Sequence, residues 1–123
     1  MTDRDALKQK TEELKSVLAQ DPKSLMFVNL SDAYRQLGQV DDALEVALRG
    51  TWELPKYAEG YSAVGRVYYH RQVTHKAEDA FFKALSVDQM CLSAYKGLAA
   101  VYKAQGDVQK ASDILTKAIM LDP

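Results

Sequence analysis

Basic and aromatic side chains recur in three similar stretches of this chain, and together they could recognise an acidic group on another molecule. The planar guanidinium of Arg66 can donate two parallel hydrogen bonds to one carboxylate, whereas Lys96 and Lys103 can supply positive charge. Tyr69 adds an aromatic surface. These residue types favour binding of a peptide or helix of a partner protein that carries an acidic or carboxylate feature near Arg66 and Lys96.

Side chains that often carry catalysis or bind metals are present, but their spacing supports neither role. His70 and His75 are five residues apart in the sequence, whereas a helical metal pair has its ligands four apart. Cys91 has no histidine nearby in the sequence, which favours an inert, buried thiol. Phosphate loops, nucleophile elbows and paired acids do not occur in the sequence. We therefore predict no enzyme activity, no catalytic residue, no metal and no cofactor.

The composition of the 123 residues is that of a globular domain. Hydrophobic residues make up 47% of the chain, enough for a continuous core, and the single cysteine cannot form an internal disulfide. The 16 basic and 17 acidic residues give a net charge of −1, which argues against nucleic-acid binding. Because the sequence lacks both a signal peptide and a run of about 18 apolar residues, we predict no membrane span and a cytoplasmic location.

A period of 34 residues organises the chain, since shifting the sequence by 34 superimposes residues of similar size. Ala43, Ala77 and Ala111 mark this period. The other aligned sets are Phe27, Tyr61 and Tyr95; Leu30, Val64 and Leu98; Ser31, Gly65 and Ala99; Tyr34, Tyr68 and Tyr102; Ala47, Phe81 and Leu115; and Gly50, Ala84 and Ala118. This spacing resembles that of the tetratricopeptide repeat (TPR).

The resemblance implies an all-α fold, a right-handed superhelical TPR solenoid of three helix-turn-helix repeats preceded by one N-terminal helix. The implied boundaries are 1–23 for the N-terminal packing helix, or half repeat, and 24–57, 58–91 and 92–123 for the three repeats. Apolar residues three and four apart give each helix one packed face. We expect Tyr34, Tyr68 and Tyr102 to lie inside the stack.

Local signals predict where the hairpins turn and where one helix is irregular. Gly38 and Gly106 should adopt left-handed backbone at the turns, whereas Gln72 at the equivalent position either tolerates strain or belongs to a different turn. Gly50 is a weak helix former, so we predict a loosened helix near it. Trp52, two residues later, is predicted to pack against the next repeat.

Polar residues predict how the helices begin. Thr2 is the expected N-cap of the first helix, with Asp5 three residues on completing a capping box. Asp41 or Asp42 is predicted to cap the second helix of the first repeat by accepting backbone hydrogen bonds, and Thr74 the second helix of the next repeat.

The first helices of stacked repeats line a concave wall, so partner-binding residues should lie on their outward positions. The predicted positions are Asn29, Asp32, Arg35, Ser62, Arg66, Tyr69, His70, Lys96, Ala100 and Lys103. One groove known in the family captures the C-terminal tails of chaperones through Lys, Asn and Arg side chains. This chain has Val28, Asp32, Ala63, Ser93 and Gly97 at those positions, so the resemblance does not include that clamp.

Other roles remain open beside the predicted interaction module. Leu115, Ile119 and Leu121 should be exposed on the last helix, which would suit a self-assembling structural scaffold and a homo-oligomer formed through the C-terminal end. A secretion-type chaperone with three TPR repeats is a further alternative. RNA binding through helical repeats would need basic residues at recurring positions, and the series Asp32, Arg66 and Ala100 does not supply them.

Overall fold

The computed structural model describes residues 2–122, which form helices and no strand. The all-α fold is therefore confirmed. Met1 and Pro123, which the predicted boundaries include, lie outside the described range. The seven helices of this range are α1 (Asp3–Gln20), α2 (Phe27–Gln36), α3 (Val40–Glu53), α4 (Ala58–His70), α5 (Thr74–Val87), α6 (Leu92–Ala104) and α7 (Val108–Leu121).

Three helical hairpins, α2–α3, α4–α5 and α6–α7, stack in chain order, with α1 lying against α2. Each second helix also packs on the first helix of the next hairpin. The first helices α2 and α4, and likewise α4 and α6, approach each other directly, whereas no Cα atoms of α3 and α5, or of α5 and α7, come within 8 Å. The first helices therefore form the closer, inner side of the stack, which is the concave wall.

The hairpin turns use left-handed backbone in all three repeats. Gly38, Gln72 and Gly106 have φ angles of 80°, 63° and 81°. Gln72 thus adopts the glycine conformation and tolerates a strain of about 1 kcal/mol. The amides that follow these residues donate to the carbonyls of Tyr34, Tyr68 and Tyr102 across distances of 2.8, 2.9 and 2.9 Å. These bonds close each first helix before the chain reverses.

The predicted N-caps of the second helices are wrong. The structure has the caps at Gln39, Val73 and Asp107, which are themselves 34 residues apart, and only the Asp107 side chain accepts a backbone hydrogen bond. Because the turn bonds are completed at these residues, each second helix starts at the residue that follows. Asp41, Asp42 and Thr74 therefore lie inside the first helical turn, where acidic side chains still favour the positive end of the helix dipole.

Gly50 does not loosen α3, which continues to Glu53. The residue is buried, and a Cβ atom added to it would overlap the ring of Phe27. A Cβ on Gly60 of α4 would also press on this ring. Glycine at these two positions therefore lets an aromatic ring enter between three helices, a packing demand that helix propensity does not reveal.

A second ring is held in the same way between the second and third repeats. Phe81 of α5 is almost fully buried, and a Cβ atom on Gly65 of α4 or on Gly97 of α6 would overlap it. The equivalent three positions of the first repeat are Ala47, Ser31 and Ala63. One site therefore combines a large side chain with two glycines, and the other combines three small side chains, so that both fill similar space.

The outer side of the stack carries an unexpected aromatic residue. Trp52 is 84% exposed, so the prediction that it packs against the next repeat is wrong. Its equivalent in the second repeat is Ser86, which is only partly buried. The position thus points away from both neighbouring first helices, and side-chain size does not change that direction.

Helix α1 begins with the predicted capping box. The Thr2 hydroxyl accepts from the amide of Asp5 at 3.1 Å, and the Thr2 amide donates to the Asp5 carboxylate at 3.3 Å. The hydrogen bonds from Thr2 lower the pKa of the Asp5 carboxyl. The buried residues of α1 are Thr11 and Leu14, whose equivalents in α3, Glu45 and Leu48, are exposed. Helix α1 therefore packs on α2 through a face that the second helices of the repeats turn to solvent.

The three repeated tyrosines differ in their burial. Tyr102 is buried, whereas Tyr34 and Tyr68 are half-buried. The ammonium groups of Lys76 and Lys110 lie 5.5 Å from the ring centroids of Tyr68 and Tyr102, so a lysine covers the partly accessible face of each ring. Burial raises the pKa of the Tyr102 hydroxyl, and the nearby carboxylates of Glu78 and Asp107 raise it further.

Candidate functional site

The concave wall contains most of the predicted partner-facing residues, with one clear exception. Tyr69, His70, Lys96 and Lys103 are exposed on the first helices, as is Asn29. Ser62 is fully buried, so it is not available to a partner. Its hydroxyl lies 3.5 Å from the Sγ atom of Cys91 at the start of α6, because this side of α4 faces the next repeat.

An acidic residue of the wall holds Arg66 in place. The Nε and Nη2 atoms of Arg66 donate to the two carboxylate oxygens of Asp32 at 3.1 and 3.3 Å. Asp32 also lies 3.5 Å from the Nη2 atom of Arg35, one turn along α2. The guanidinium of Arg66, which was expected to take the carboxylate of a partner, is therefore already paired within the chain.

Arg35 is less well satisfied than Arg66. Its side chain is only 24% exposed, and its Nε atom is buried without a hydrogen-bond acceptor among the described residues. Within residues 2–122, Asp32 is the ion-pair partner of both arginines and no other acid pairs with either. One carboxylate thus compensates two guanidinium groups, which leaves the wall locally positive.

Two cavities lie along the concave wall, and both are bordered by Arg66 and Tyr69. The first has a volume of about 480 Å³ and is lined by Arg35, Arg66, Tyr69, His70, Gln72, Thr74 and Ala104. The second, of about 290 Å³, is lined by Arg66, Tyr69, Phe81, Ser93, Lys96, Gly97 and Ala100. The first cavity is polar and basic, whereas the second has a mainly apolar lining.

The cavities sort the predicted residues and add new ones. Six of the predicted positions line a cavity, namely Arg35, Arg66, Tyr69, His70, Lys96 and Ala100, whereas Asn29 and Lys103 line neither. Gln72, Thr74, Ala104, Phe81 and Ser93 were not predicted to face a ligand. The left-handed conformation of Gln72 brings the turn beside the first cavity, and this could have been anticipated from its alignment with Gly38 and Gly106.

The largest cavity lies elsewhere, between α1, α2 and α3, with a volume of about 550 Å³. Its floor includes Leu18, Phe27 and Tyr34. Charged residues of both signs stand around it, including Lys15 and Glu45, so its charge indicates no particular ligand. The concave cavities are more informative because one of them has an unbalanced positive charge.

The last helix presents an exposed apolar side. Leu115 and Ile119 are exposed, as are Val108 and Met120, whereas Leu121 is half-buried. Leu115 occupies the position of Phe81, which is covered in the second repeat by the first helix that follows it. The exposure of Leu115 and Ile119 was predicted, and their role in self-association stays a prediction.

Searches of the described residues found neither a metal-binding cluster nor a helix suited to crossing a membrane. No group of three or more His, Cys, Asp or Glu side chains in residues 2–122 is arranged to hold a metal ion. None of the seven helices in that range is long and apolar enough to span a bilayer.

Comparisons with known proteins agree with this architecture. A family model described as Tetratricopeptide repeat matches residues 92–123. A thermophilic TPR protein from Thermus thermophilus is 25% identical, with a TM-score of 0.87 over 96% of this chain and 66% of that chain. The chain is a tetratricopeptide repeat protein. The crystal structure of MamA is also similar, at 25% identity and a TM-score of 0.73, covering 100% of this TPR chain and 76% of that chain.

A curated relative supports the same family. Heat shock protein STI1 of Saccharomyces cerevisiae is 26% identical over 106 residues, which is 86% of the TPR chain. The chain spans 18% of the length of that relative. Proteins built from tetratricopeptide repeats generally mediate protein–protein interaction, and a concave wall with two cavities is consistent with that general role.

Proposed function

We propose that this protein is a non-catalytic interaction module, an adaptor or scaffold, that binds a peptide or helix of a partner protein in its concave groove. The observation that carries this proposal is the pair of adjoining cavities bordered by Arg66 and Tyr69. Tyr69 is 39% exposed between them, and an exposed tyrosine beside a basic side chain is a common anchor for partner binding. The basic residues His70, Lys96 and Lys103 favour a partner with an acidic or carboxylate feature.

A pair of variants on opposite faces tests this function by affinity capture from cells that make the protein. Tyr69→Ala with Lys103→Glu alters the concave wall, and it is expected to reduce recovery of the specific partner by roughly tenfold or more, as loss of an anchor residue does. The matched control is Phe82→Ala with Lys117→Glu on the outer side, since Phe82 is 44% exposed and Lys117 is exposed. Loss of the partner from the control variant, with the concave variant unaffected, would overturn the proposal.

The exposed side of α7 favours self-assembly as a second function. Leu115 and Ile119 would be covered if another copy of the chain packed on this helix, since burial of such side chains is favourable by about 1.5–3 kcal/mol each. Sedimentation velocity over a concentration series separates the two functions. An assembler gives a sedimentation coefficient that rises with concentration and falls back in Ile119→Lys, whereas a monomeric adaptor gives a constant value in both proteins.

A further inference from the structure

The groove offers two kinds of cavity next to each other, and this arrangement limits which partner segments it suits. The first cavity contains the guanidinium groups of Arg35 and Arg66 and the imidazole of His70. The second contains the ring of Phe81 together with Gly97 and Ala100. Because both cavities are bordered by Arg66 and Tyr69, groups bound in them must be close together along one segment.

The first cavity has an excess of positive charge that a ligand could compensate. Asp32 already accepts two hydrogen bonds from Arg66, so the 3.5 Å contact with Arg35 is a weak additional interaction. Arg35 is mostly buried, and its Nε atom has lost contact with solvent without gaining an acceptor in the described chain. A partly desolvated guanidinium with incomplete pairing favours binding of a carboxylate through its remaining N–H groups.

The second cavity suits an apolar side chain. Gly97 has no side chain to cover the Phe81 ring, and Ala100 covers little more, so aromatic and aliphatic carbon lines this space. Lys96 and Ser93 stand at its edge, and the Ser93 hydroxyl already donates to Glu59 at 2.8 Å. An aliphatic or aromatic group bound here would lose apolar surface to water without burying an unpaired polar group.

We propose that the partner segment pairs a carboxylate, bound by Arg35 in the first cavity, with a neighbouring apolar side chain, bound in the second cavity against Phe81 and Gly97. This inference rests on the proposed groove function and specifies its ligand. It places the carboxylate on Arg35 rather than on the previously expected Arg66. Asp32 then acts as an internal competitor, because it occupies Arg66 and lowers the positive charge that an acidic ligand meets.

Selection from a library of random peptides about 12 residues long, displayed on phage, identifies segments that the whole protein binds. We expect enriched peptides to carry Asp or Glu within about two residues of a large apolar residue, since alternate residues of an extended segment share a face. Binding of the best peptide is then measured by fluorescence anisotropy, beside a version with its acid replaced by the matching amide. The amide version is expected to bind roughly tenfold more weakly, as for loss of a charge-assisted hydrogen bond.

Variants of the protein assign the acid preference to Arg35. Arg35→Gln should bind the acidic and amide peptides equally, whereas Arg49→Gln, which removes an exposed charge of α3, should retain the roughly tenfold preference. Asp32→Asn should bind the acidic peptide several-fold more tightly, because it frees Arg66. Ala100→Leu fills the apolar cavity and should weaken both peptides together.

The outcomes separate this inference from the groove function. Peptides that lose binding in Tyr69→Ala but bind equally well as acid and amide versions would overturn the acidic specificity and leave the groove function standing. Failure to enrich any peptide, or enrichment of peptides that are insensitive to Tyr69→Ala, would contradict both. The comparison of acidic and amide peptides uses the unmodified protein, so it holds even where a variant is unstable.

Discussion

Phe81→Ala should lower the free energy of unfolding by about 3–5 kcal/mol, the range for removing a buried phenylalanine from a packed core. The ring is 1% exposed and lies where α4, α5 and α6 meet, so its removal leaves a space that Gly65 and Gly97 cannot fill. This cost is a large part of the roughly 5–15 kcal/mol that typically stabilises a domain. Urea unfolding followed by circular dichroism measures the loss.

Phe82 provides the control for this prediction, because it is the same residue type on the same helix but 44% exposed. Phe82→Ala should change the free energy of unfolding by no more than about 0.5–1 kcal/mol, as for an exposed position with few contacts. Equal losses for Phe81→Ala and Phe82→Ala would mean that the ring of Phe81 does not hold the three helices together.

Gly97→Ala should destabilise the protein, although alanine is the better helix former by about 1 kcal/mol. A Cβ atom at this position overlaps the Phe81 ring, and a forced fit in a packed core typically costs about 1–3 kcal/mol. In a protein that already carries Phe81→Ala, the same change should cost nothing or restore stability, because the added methyl group enters the vacated space. A double-mutant cycle in urea measures this coupling.

The first repeat supplies the precedent for that compensation. Its equivalent of Phe81 is Ala47, and its equivalents of Gly65 and Gly97 are Ser31 and Ala63. A small residue in place of the ring is thus accompanied by larger residues in place of the glycines. Effects of Phe81→Ala and Gly97→Ala that add within about 0.5 kcal/mol would show that the ring and the glycine are independent, contrary to the structure.

Much of the fold could be predicted because the 34-residue period repeats the same packing demand three times. Side chains at equivalent positions sit in similar surroundings, so Ala43, Ala77 and Ala111 are all buried. The caps were missed because Asp41 and Thr74 were chosen for their side chains, whereas the turn hydrogen bonds decide where each second helix begins. Gly50 was misread because its neighbour, the Phe27 ring, is distant in sequence from the turn of helix that propensity describes.

The site was predicted less completely because its geometry depends on contacts between repeats. Asp32 and Arg66 occupy equivalent positions in adjacent repeats, and such positions are neighbours on the concave wall. Glu59 and Ser93 repeat this relation at the same spacing. Opposite charges 34 residues apart were therefore a readable signal for an internal ion pair. The burial of Ser62 had no such signal, because it depends on how closely α6 approaches α4.

Photo-cross-linking from two positions of similar exposure tests the central proposal, that a partner segment lies on the concave wall. A benzoylphenylalanine replaces Tyr69 in one protein and Phe82 in another, and both are irradiated in cells that make the partner. We expect a discrete adduct from position 69, whose partner peptide is identified by mass spectrometry, and none from position 82. An adduct with the same partner from position 82 alone would contradict the proposal.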